Sequence, residues 1–260
     1  MRALPLFALA LLIPCALLPA GGCGGSDQPA GPDAGATEQQ MVDYFGLQTG
    51  RCFEYTSADT LQQSPDLGIV VESIDTKSFA VPTRVISYST GGVAMRDYVA
   101  FQDNALVLYK REFPGGKSYI YDPPMKRLEL PVLPSSVLNA TSAVTIRDGA
   151  GRVLADKEAH SLRVDVYALA DVALPIATTV SATKISFAET LADGNTKAGR
   201  SEVRTFMPGT GDKASVDGLV RIDFNFNLDE TSQNVVYKLQ KIRDLGDNPA
   251  TATPPCGGTP

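Results

Sequence analysis

Apolar and polar residues alternate along several stretches of the chain. The clearest is 220–228, where apolar side chains occupy every second position and Arg221, Asp223 and Asn225 stand between them. Residues 162–167 and 126–130 show the same alternation. A period of two places the apolar set on one face of a sheet and the polar set in water. We therefore predict that these stretches are β-strands with one buried face.

Further strands are predicted where aliphatic, aromatic and β-branched residues cluster between turns. They cover residues 51–56, 68–74, 83–89, 96–102, 106–111, 178–189, 202–206 and 235–242, with a hairpin over 144–147 and 152–154. The intervening turns, such as Asp103-Asn104, are rich in Asn, Asp and Gly, which tolerate the positive φ of tight hairpins. Thr37 and Gln40 form a capping-box pattern that predicts a short helix through about Tyr44.

The order of these elements predicts the fold class. No amphipathic helical stretch of usable length lies between the strands, which disfavours parallel βαβ winding. We predict an all-β domain, an antiparallel meander that forms a curved sheet, half-barrel or sandwich, with a short N-terminal helix. Strands such as 105–109 are apolar on both faces. One of their faces therefore lies in a double-layered core or lines a cavity.

The start of the chain has the features of an export signal. Arg2 precedes an apolar stretch over 4–18, and small residues precede Cys23. That stretch is short for a permanent membrane span, which needs about 20 residues. The segment resembles a bacterial lipobox, in which small residues precede a cysteine that is lipidated and becomes the mature N-terminus. The resemblance implies a lipoprotein signal peptide over 1–22 and lipidation of Cys23; ordinary signal peptidase cleavage at the same place is the alternative.

The residues that follow Cys23 favour the lipid anchor. Residues 23–37 are rich in Gly and Pro, a composition typical of a flexible tether. Acyl chains on Cys23 would hold the protein on a membrane, each buried methylene contributing about 0.8 kcal/mol. Gly24 follows the cysteine, and in the sorting rule of enteric bacteria this resemblance implies the outer membrane, on its periplasmic or surface face.

Length and charge limit the remaining possibilities. The chain of 260 residues carries a formal charge of −6, and loss of Arg2 with the signal peptide takes the charge to −7. A net-acidic chain disfavours nucleic acid as a partner, because phosphate binding requires clustered Lys and Arg. It also disfavours electrostatic attachment to anionic lipid. We predict one β domain over 38–245 and a Pro/Gly-rich tail over 246–260.

Two cysteines remain once Cys15 leaves with the signal peptide and Cys23 takes the lipid. Cys52 lies near the start of the domain and Cys256 in the tail. In an oxidising compartment an even pair most simply forms a disulfide, and two free thiols are the alternative. A bridge would hold the tail against the first strand.

The start of the domain carries a resemblance. Residues 44–55 read Tyr-Phe-Gly-Leu-Gln-Thr-Gly-Arg-Cys-Phe-Glu-Tyr. They resemble a loose, largely uncharacterised group of exported bacterial lipoproteins whose domain begins Tyr-Phe-Pro-Leu-x-x-Gly-x-x-Trp-x-Tyr. Gly46 replaces the proline and Phe53 the tryptophan, and residues 206–211 are similar to a later Tyr-x-Pro-Gly-x-Gly segment of that group. The resemblance implies an antiparallel β fold outside the cytoplasm and no particular activity.

Candidate catalytic residues are few. His160 is the single histidine, and beside Asp156 and Glu158 it is predicted to be a solvated surface residue rather than a base. Residues 181–184 match the Ser-x-x-Lys pattern of penicillin-recognising enzymes, but they fall within a predicted strand and not at a helix start. We therefore predict no catalytic residue.

Acidic residues gather at Asp212 and Asp217 and again at Asp244 and Asp247. Calcium requires several oxygens converging from a loop of defined spacing, and these pairs are too sparse. We predict no metal site and no cofactor.

Three hypotheses for function follow. The first is a non-enzymatic envelope lipoprotein, attached to the membrane through its lipid anchor, that binds a hydrophobic ligand or an envelope protein. The alternative is an envelope-polymer hydrolase that uses a carboxylate pair. The third is a surface spacer without a ligand.

Overall fold

The computed structural model describes residues 37–57, 67–90, 93–174, 180–191, 200–207, 218–225, 234–252 and 255–257. Within them lie one α-helix, α1 (Glu38–Phe45), and twelve strands. The strands are β1 (Arg51–Ser57), β2 (Leu67–Asp75), β3 (Thr83–Thr90), β4 (Val93–Gln102), β5 (Ala105–Glu112), β6 (Ser118–Glu129), β7 (Val137–Arg147), β8 (Val153–Val172), β9 (Val180–Leu191), β10 (Arg200–Met207), β11 (Gly218–Asn225) and β12 (Asn234–Asp244). None of the helical segments in this part of the chain is both long and apolar enough to cross a membrane.

Each strand pairs antiparallel with its neighbours in chain order, and β1 also pairs with β12. The hydrogen-bonded order therefore closes on itself as a barrel. The predicted all-β antiparallel meander with a short N-terminal helix is confirmed. The predicted forms were a curved sheet, a half-barrel and a sandwich. The sheet is curved, and it does not form a two-layered sandwich.

The alternation of the sequence sets the inner and outer faces. In β8, Leu162, Val164 and Val166 are buried in the core, whereas Arg163 and Tyr167 are exposed. Period-two burial of this kind is expected when one face of a sheet packs on a core and the other meets solvent.

Two details of the strand prediction are wrong. The hairpin predicted over 144–147 and 152–154 forms, with Arg147 paired to Val153, but its second strand and the predicted strand over 162–167 are one continuous strand, β8. At 126–130 the alternation fails, because Arg127 and Leu128 are both buried. The cause is a shift in the β5–β6 register, in which Leu106 pairs with Leu128 but Val107 pairs with Lys126. Arg127 is the extra residue of this bulge, and a bulge allows two adjacent side chains to point the same way.

Helix α1 packs against one end of the barrel. Its predicted capping box is present, since the Thr37 hydroxyl accepts from Gln40 N and the Gln40 side chain accepts from Thr37 N. Gly46 ends the helix at a φ of 67°, in the left-handed region that favours glycine. Phe45 is buried and stacks on Phe101 of β4 with ring centroids 6.1 Å apart. The helix thus adds apolar side chains to the core at the end where the odd-numbered strands begin.

Candidate functional site

A buried ion pair joins β4 and β5 inside the barrel. Asp97 and Arg111 are register partners on the two strands and are 4% and 1% exposed. The Arg111 guanidinium donates to both carboxylate oxygens, at 2.6 Å from Nε to Oδ1 and 2.8 Å from Nη2 to Oδ2. Burial lowers the pKa of Arg111, but the charge and hydrogen bonds of Asp97, together with the Tyr121 and Glu189 side chains, outweigh burial, so the pKa lies well above its usual value.

Glu189 of β9 extends this cluster across the interior. Its Oε1 accepts a 3.0 Å hydrogen bond from the Tyr121 hydroxyl and lies 3.5 Å from His160 Nδ1. Its Oε2 lies 3.6 Å from Arg111 Nη1 and 3.7 Å from Arg127 Nη1. The carboxylate is thus surrounded by positive or donating groups, which compensates the cost of burying it.

The prediction that His160 is a solvated surface residue is wrong. Its side chain is 1% exposed, and its ring packs edge-on against Tyr119 and Tyr121 at centroid distances of 5.7 and 6.1 Å. The reason is strand phase: His160 lies two residues before buried Leu162 on the same strand and so points to the same face. The neighbouring acids that suggested a surface position, Asp156 and Glu158, are exposed.

Asp97 and Glu189 are a pair of buried carboxylates, the feature that the hydrolase hypothesis requires. Glycoside hydrolysis needs one carboxyl group to donate a proton and the other to attack or activate water, with space for a sugar between them. Here Arg111 contacts both carboxylates, and both oxygens of Asp97 are occupied by its guanidinium. The arrangement favours a structural ion network over an acid–base pair.

A small cavity lies between this cluster and α1. Its volume is about 50 Å³, and its walls are mostly apolar side chains, with polar contributions from Asp97, Arg127 and Arg204. A cavity of this size accommodates a few water molecules. Pockets for organic ligands start at about 300 Å³, so this cavity alone does not provide room for an acyl chain.

The barrel wall is incomplete between β6 and β7. The two strands pair only from Ser118 to Asp122, which face Arg147 to Ala143. Among the described residues, no ladder joins 123–129 of β6 to 137–142 of β7, although β6 continues to pair with β5 and β7 with β8. We call this place the seam.

Two consecutive prolines explain why the seam opens. Pro123 and Pro124 follow the last paired residue of β6 and have no N–H to donate to a neighbouring strand. Where the ladder ends, the Ser142 hydroxyl donates a 2.6 Å hydrogen bond to the Pro123 carbonyl. The side chain thus takes over one acceptor that a backbone N–H would otherwise satisfy.

A groove of about 350 Å³ occupies the seam. Leu138 and Ala140 line it from the inner face of β7, where they also pack against the core, and Asn139 and Thr141 line it from the exposed face. The opposite wall and floor come from Gln102, Asp103, Val107, Pro123, Pro124 and Lys126. The groove therefore combines a strand edge that pairs with no described strand and a lining that is half apolar and half polar.

The disulfide predicted between Cys52 and Cys256 is confirmed. Its sulfur atoms are 2.11 Å apart, and the bridge joins β1 to the tail across a sequence separation of 204 residues. The Cys256 carbonyl also accepts a 3.0 Å hydrogen bond from the Ser89 hydroxyl. A Cβ atom at Gly68 would lie 2.6 Å from the Cys256 carbonyl carbon, so only glycine allows the tail to lie this close to β2.

The remaining predicted site residues fall in different places. Cys23, with the signal peptide and most of the tether, lies outside the described residues, as do Asp212 and Asp217. Asp244 accepts from Gly246 N at 2.9 Å in the turn after β12. In the described part of the chain, no three His, Cys, Asp or Glu side chains are grouped so that they could hold a metal ion.

Comparisons with known proteins place few limits on function. No protein-family model and no curated protein sequence matches the chain. One similar solved structure, from Bacteroides fragilis, is provisionally described as an exported protein with a YmcC-like fold; it is 13% identical, with a TM-score of 0.43, over 77% of this chain and 98% of that one. Another, from Parabacteroides distasonis, is provisionally described as a lipoprotein; it is 10% identical, with a TM-score of 0.37, over 76% of this chain and 96% of that one. Neither description states an activity, and similarity of this degree carries no function from one protein to another.

Proposed function

We propose that this chain is a non-enzymatic lipoprotein of the bacterial envelope, anchored through Cys23, that binds an extended segment of another envelope protein at the seam. The unpaired stretch 137–142 of β7 is the observation that carries this proposal. A strand edge exposes alternating N–H and C=O groups, and an extended peptide can satisfy them by pairing as an additional strand.

The unpaired edge of β7 suits such a segment. Strands in a sheet lie about 4.8 Å apart, so an added strand would lie about that far from β7, on the side where the β6 ladder has ended. Leu138 and Ala140 would contact the side chains of the added segment that point towards the core, which are expected to be apolar. Asn139 and Thr141 would contact its side chains on the outer face. The expected partner segment therefore alternates small or apolar residues with polar ones and lacks proline.

The interior of the barrel disfavours a catalytic site. Its carboxylates, Asp97 and Glu189, are buried and contacted by arginines, and the cavity beside them is about 50 Å³. A substrate would have to displace these ion pairs to reach either carboxylate. The groove, by contrast, lies open on the outside of the barrel.

Photocrosslinking in the producing bacterium tests the proposal. A photoreactive amino acid at Asn139, which is exposed in the groove, is expected to crosslink to one envelope protein through a segment that is extended in that partner. The matched control carries the same amino acid at Gln240, which is exposed on β12. A second variant, Thr141→Trp, fills the groove and should abolish the crosslink at 139. Equal products at both positions, or a crosslink that survives Thr141→Trp, would overturn seam binding.

Mass spectrometry of the full-length protein tests the anchor separately. Acyl chains on residue 23, and their loss in Cys23→Ser, are the expected result. An unmodified thiol at Cys23 would refute the anchor without affecting the seam.

A further inference from the structure

Apolar side chains are unevenly distributed on the outside of the described barrel. Six large hydrophobic residues are conspicuously exposed there, and four of them lie towards one end: Ile74 (47%), Leu133 (54%), Val137 (50%) and Tyr167 (47%). This is the end where odd-numbered strands begin and where α1 packs. We call it the anchor-side rim. The other two, Val153 and Leu154, start β8 at the opposite end.

Leu133 is held outward by a well-defined turn. The Ser136 hydroxyl donates to the Leu133 carbonyl at 2.7 Å, and Ser135 N donates to the Val166 carbonyl of β8 at 2.8 Å. The preceding Val132 is buried in the core. The turn is therefore fixed on both sides while the Leu133 side chain remains in solvent, next in space to the strand that carries Tyr167.

The chain also enters the domain at this rim. Glu38, the first residue of α1, lies 3.0 Å from Arg84 Nη2, and Arg84 is the register partner of Ile74. In the sequence Cys23 stands 14 residues before Thr37. A stretch of that length spans at most about 50 Å, so an acylated Cys23 would keep this rim within that distance of the membrane surface.

We propose that the anchor-side rim rests on the lipid surface, with Leu133, Val137 and Tyr167 inserted among the headgroups. The proposal rests on the proposed lipid anchor at Cys23. A tether of this length raises the local concentration of membrane at the rim to the order of millimolar, so that a contact too weak to act alone is populated. Amphipathic aromatic rings such as that of Tyr167 favour the membrane–water interface.

Charge sets which lipid the rim is expected to prefer. Charged groups of both signs stand beside the exposed apolar residues, since Lys184 Nζ lies 5.1 Å from the centre of the Tyr167 ring and Glu129 is paired with Lys126. The chain without residues 1–22 carries a formal charge of −7, and this net negative charge disfavours anionic headgroups. The contact is therefore apolar in origin and is expected to be stronger on zwitterionic phosphatidylcholine than on membranes containing phosphatidylglycerol.

The chain contains no tryptophan, so a single introduced indole reports its own surroundings. Leu133→Trp and, as matched control, Leu154→Trp are made in the full-length acylated protein and reconstituted into phosphatidylcholine vesicles with brominated acyl chains. Both positions are exposed, so neither substitution disturbs the core. The expected result is a blue-shifted and quenched emission from Leu133→Trp, whereas Leu154→Trp keeps the emission of a solvated indole. Phosphatidylglycerol in the vesicles should weaken the quenching at 133.

The outcomes separate this proposal from the anchor on which it rests. If the protein is acylated and floats with the vesicles, but both indoles remain solvated, the rim contact is refuted and the anchor stands. If residue 23 carries no acyl chain and the protein does not float, both fail together. Equal quenching at 133 and 154 would indicate a protein lying on its side and would also refute the rim contact.

Discussion

Two of the short strand ladders in the described barrel differ in how the junction is held beyond the paired residues. At the first, β1 meets β2 through four pairs, from Cys52–Val70 to Tyr55–Leu67. The tail lies over this junction and is bridged to β1 by a disulfide. At the second, the seam, β6 meets β7 through five pairs, and then Pro123 and Pro124 separate the strands. Nothing among the described residues covers that opening.

The difference teaches that a short ladder is not in itself a weak point. The β1–β2 junction is held by a covalent bond, by the Ser89–Cys256 hydrogen bond and by close contact at Gly68, none of which depends on strand pairing. The seam has a ladder one pair longer, and beyond it a Ser142–Pro123 hydrogen bond joins the two strands. The first junction is built to stay closed, whereas the second leaves a strand edge available to a partner.

The largest effect is expected from removing the bridge. The double substitution Cys52→Ala, Cys256→Ala frees a loop of 204 residues, and the chain-entropy argument assigns about 5 kcal/mol to such a loop as an upper value. Urea unfolding without reductant measures the loss in free energy of unfolding. Adding a reductant should bring the wild type down to the value of the double variant and leave the variant unchanged. A wild type that is insensitive to reductant would mean that the bridge contributes nothing to the stability of this junction.

A smaller effect is expected from Gly68→Ala. Its Cβ would lie 2.6 Å from backbone atoms of Cys256 and Gly257, and overpacking of this kind costs about 1–3 kcal/mol. The double-mutant cycle with Cys52→Ala, Cys256→Ala isolates the contact. Without the bridge the tail can move away, so the cost of Gly68→Ala should shrink. An identical cost in both backgrounds would show that the strain lies within β2 and not against the tail.

Amide hydrogen exchange sharpens the contrast at the seam. Along 143–147, β7 is paired with β6 at every residue and with β8 at every residue except Thr145, whereas along 137–141 alternate amides face the groove. One hydrogen bond contributes about 1 kcal/mol, so groove-facing amides should exchange on the order of tenfold faster. Uniform protection from 137 to 147 would contradict an open seam.

The smallest effects on the free energy of unfolding are expected from replacing one basic residue at the β1–β2 junction and one at the seam. Arg243 lies beside the β1–β2 junction, donates to Glu54 Oε1 at 3.0 Å through Nε, and donates to the Pro255 carbonyl at 2.9 Å. Arg243→Met should cost about 1 kcal/mol in urea unfolding, because both hydrogen bonds are charge-assisted and the one to Glu54 is half-buried. Lys126 at the seam makes only an exposed 3.5 Å ion pair with Glu129. Lys126→Met should cost less than about 0.5 kcal/mol, and equal losses at the two positions would remove the distinction.

The strands could be predicted because their outer and inner residues differ in polarity. Leu162, Val164 and Val166 alternate with polar residues, and each is buried as expected. The turn at Asp103-Asn104 could be predicted as well, because Asp and Asn tolerate positive φ. Both residues adopt it, at 49° and 57°.

The interior cluster could not be predicted by polarity, because its charged residues occupy inward positions. Asp97 lies two residues from buried Met95 and two from buried Val99, and therefore on the same face of β4, so only strand phase could have revealed it. His160 is a similar case, in phase with Leu162. Which carboxylate meets which arginine is set by contacts between distant strands, such as those of Glu189 with Arg111 and Arg127, and periodicity along one strand contains no information on these.

The sequence contains a feature from which the seam could have been predicted. Pro123-Pro124 interrupts a stretch that the structure assigns to a single strand, and consecutive prolines remove two donors from a ladder. The sequence does not reveal that β7 fails to find another neighbour there, because this depends on the curvature of the whole barrel.

The pairing of the first strand with the last has a consequence for the timing of assembly. A polypeptide is made from its amino end, so β1 cannot pair with β12 until the ten strands between them have been made. Throughout that interval Cys52 lacks the partner that it has in the folded protein, since Cys256 lies 204 residues further along the chain. The oxidation that joins them therefore follows the synthesis of every described strand, and a chain truncated before Cys256 keeps a free thiol at Cys52.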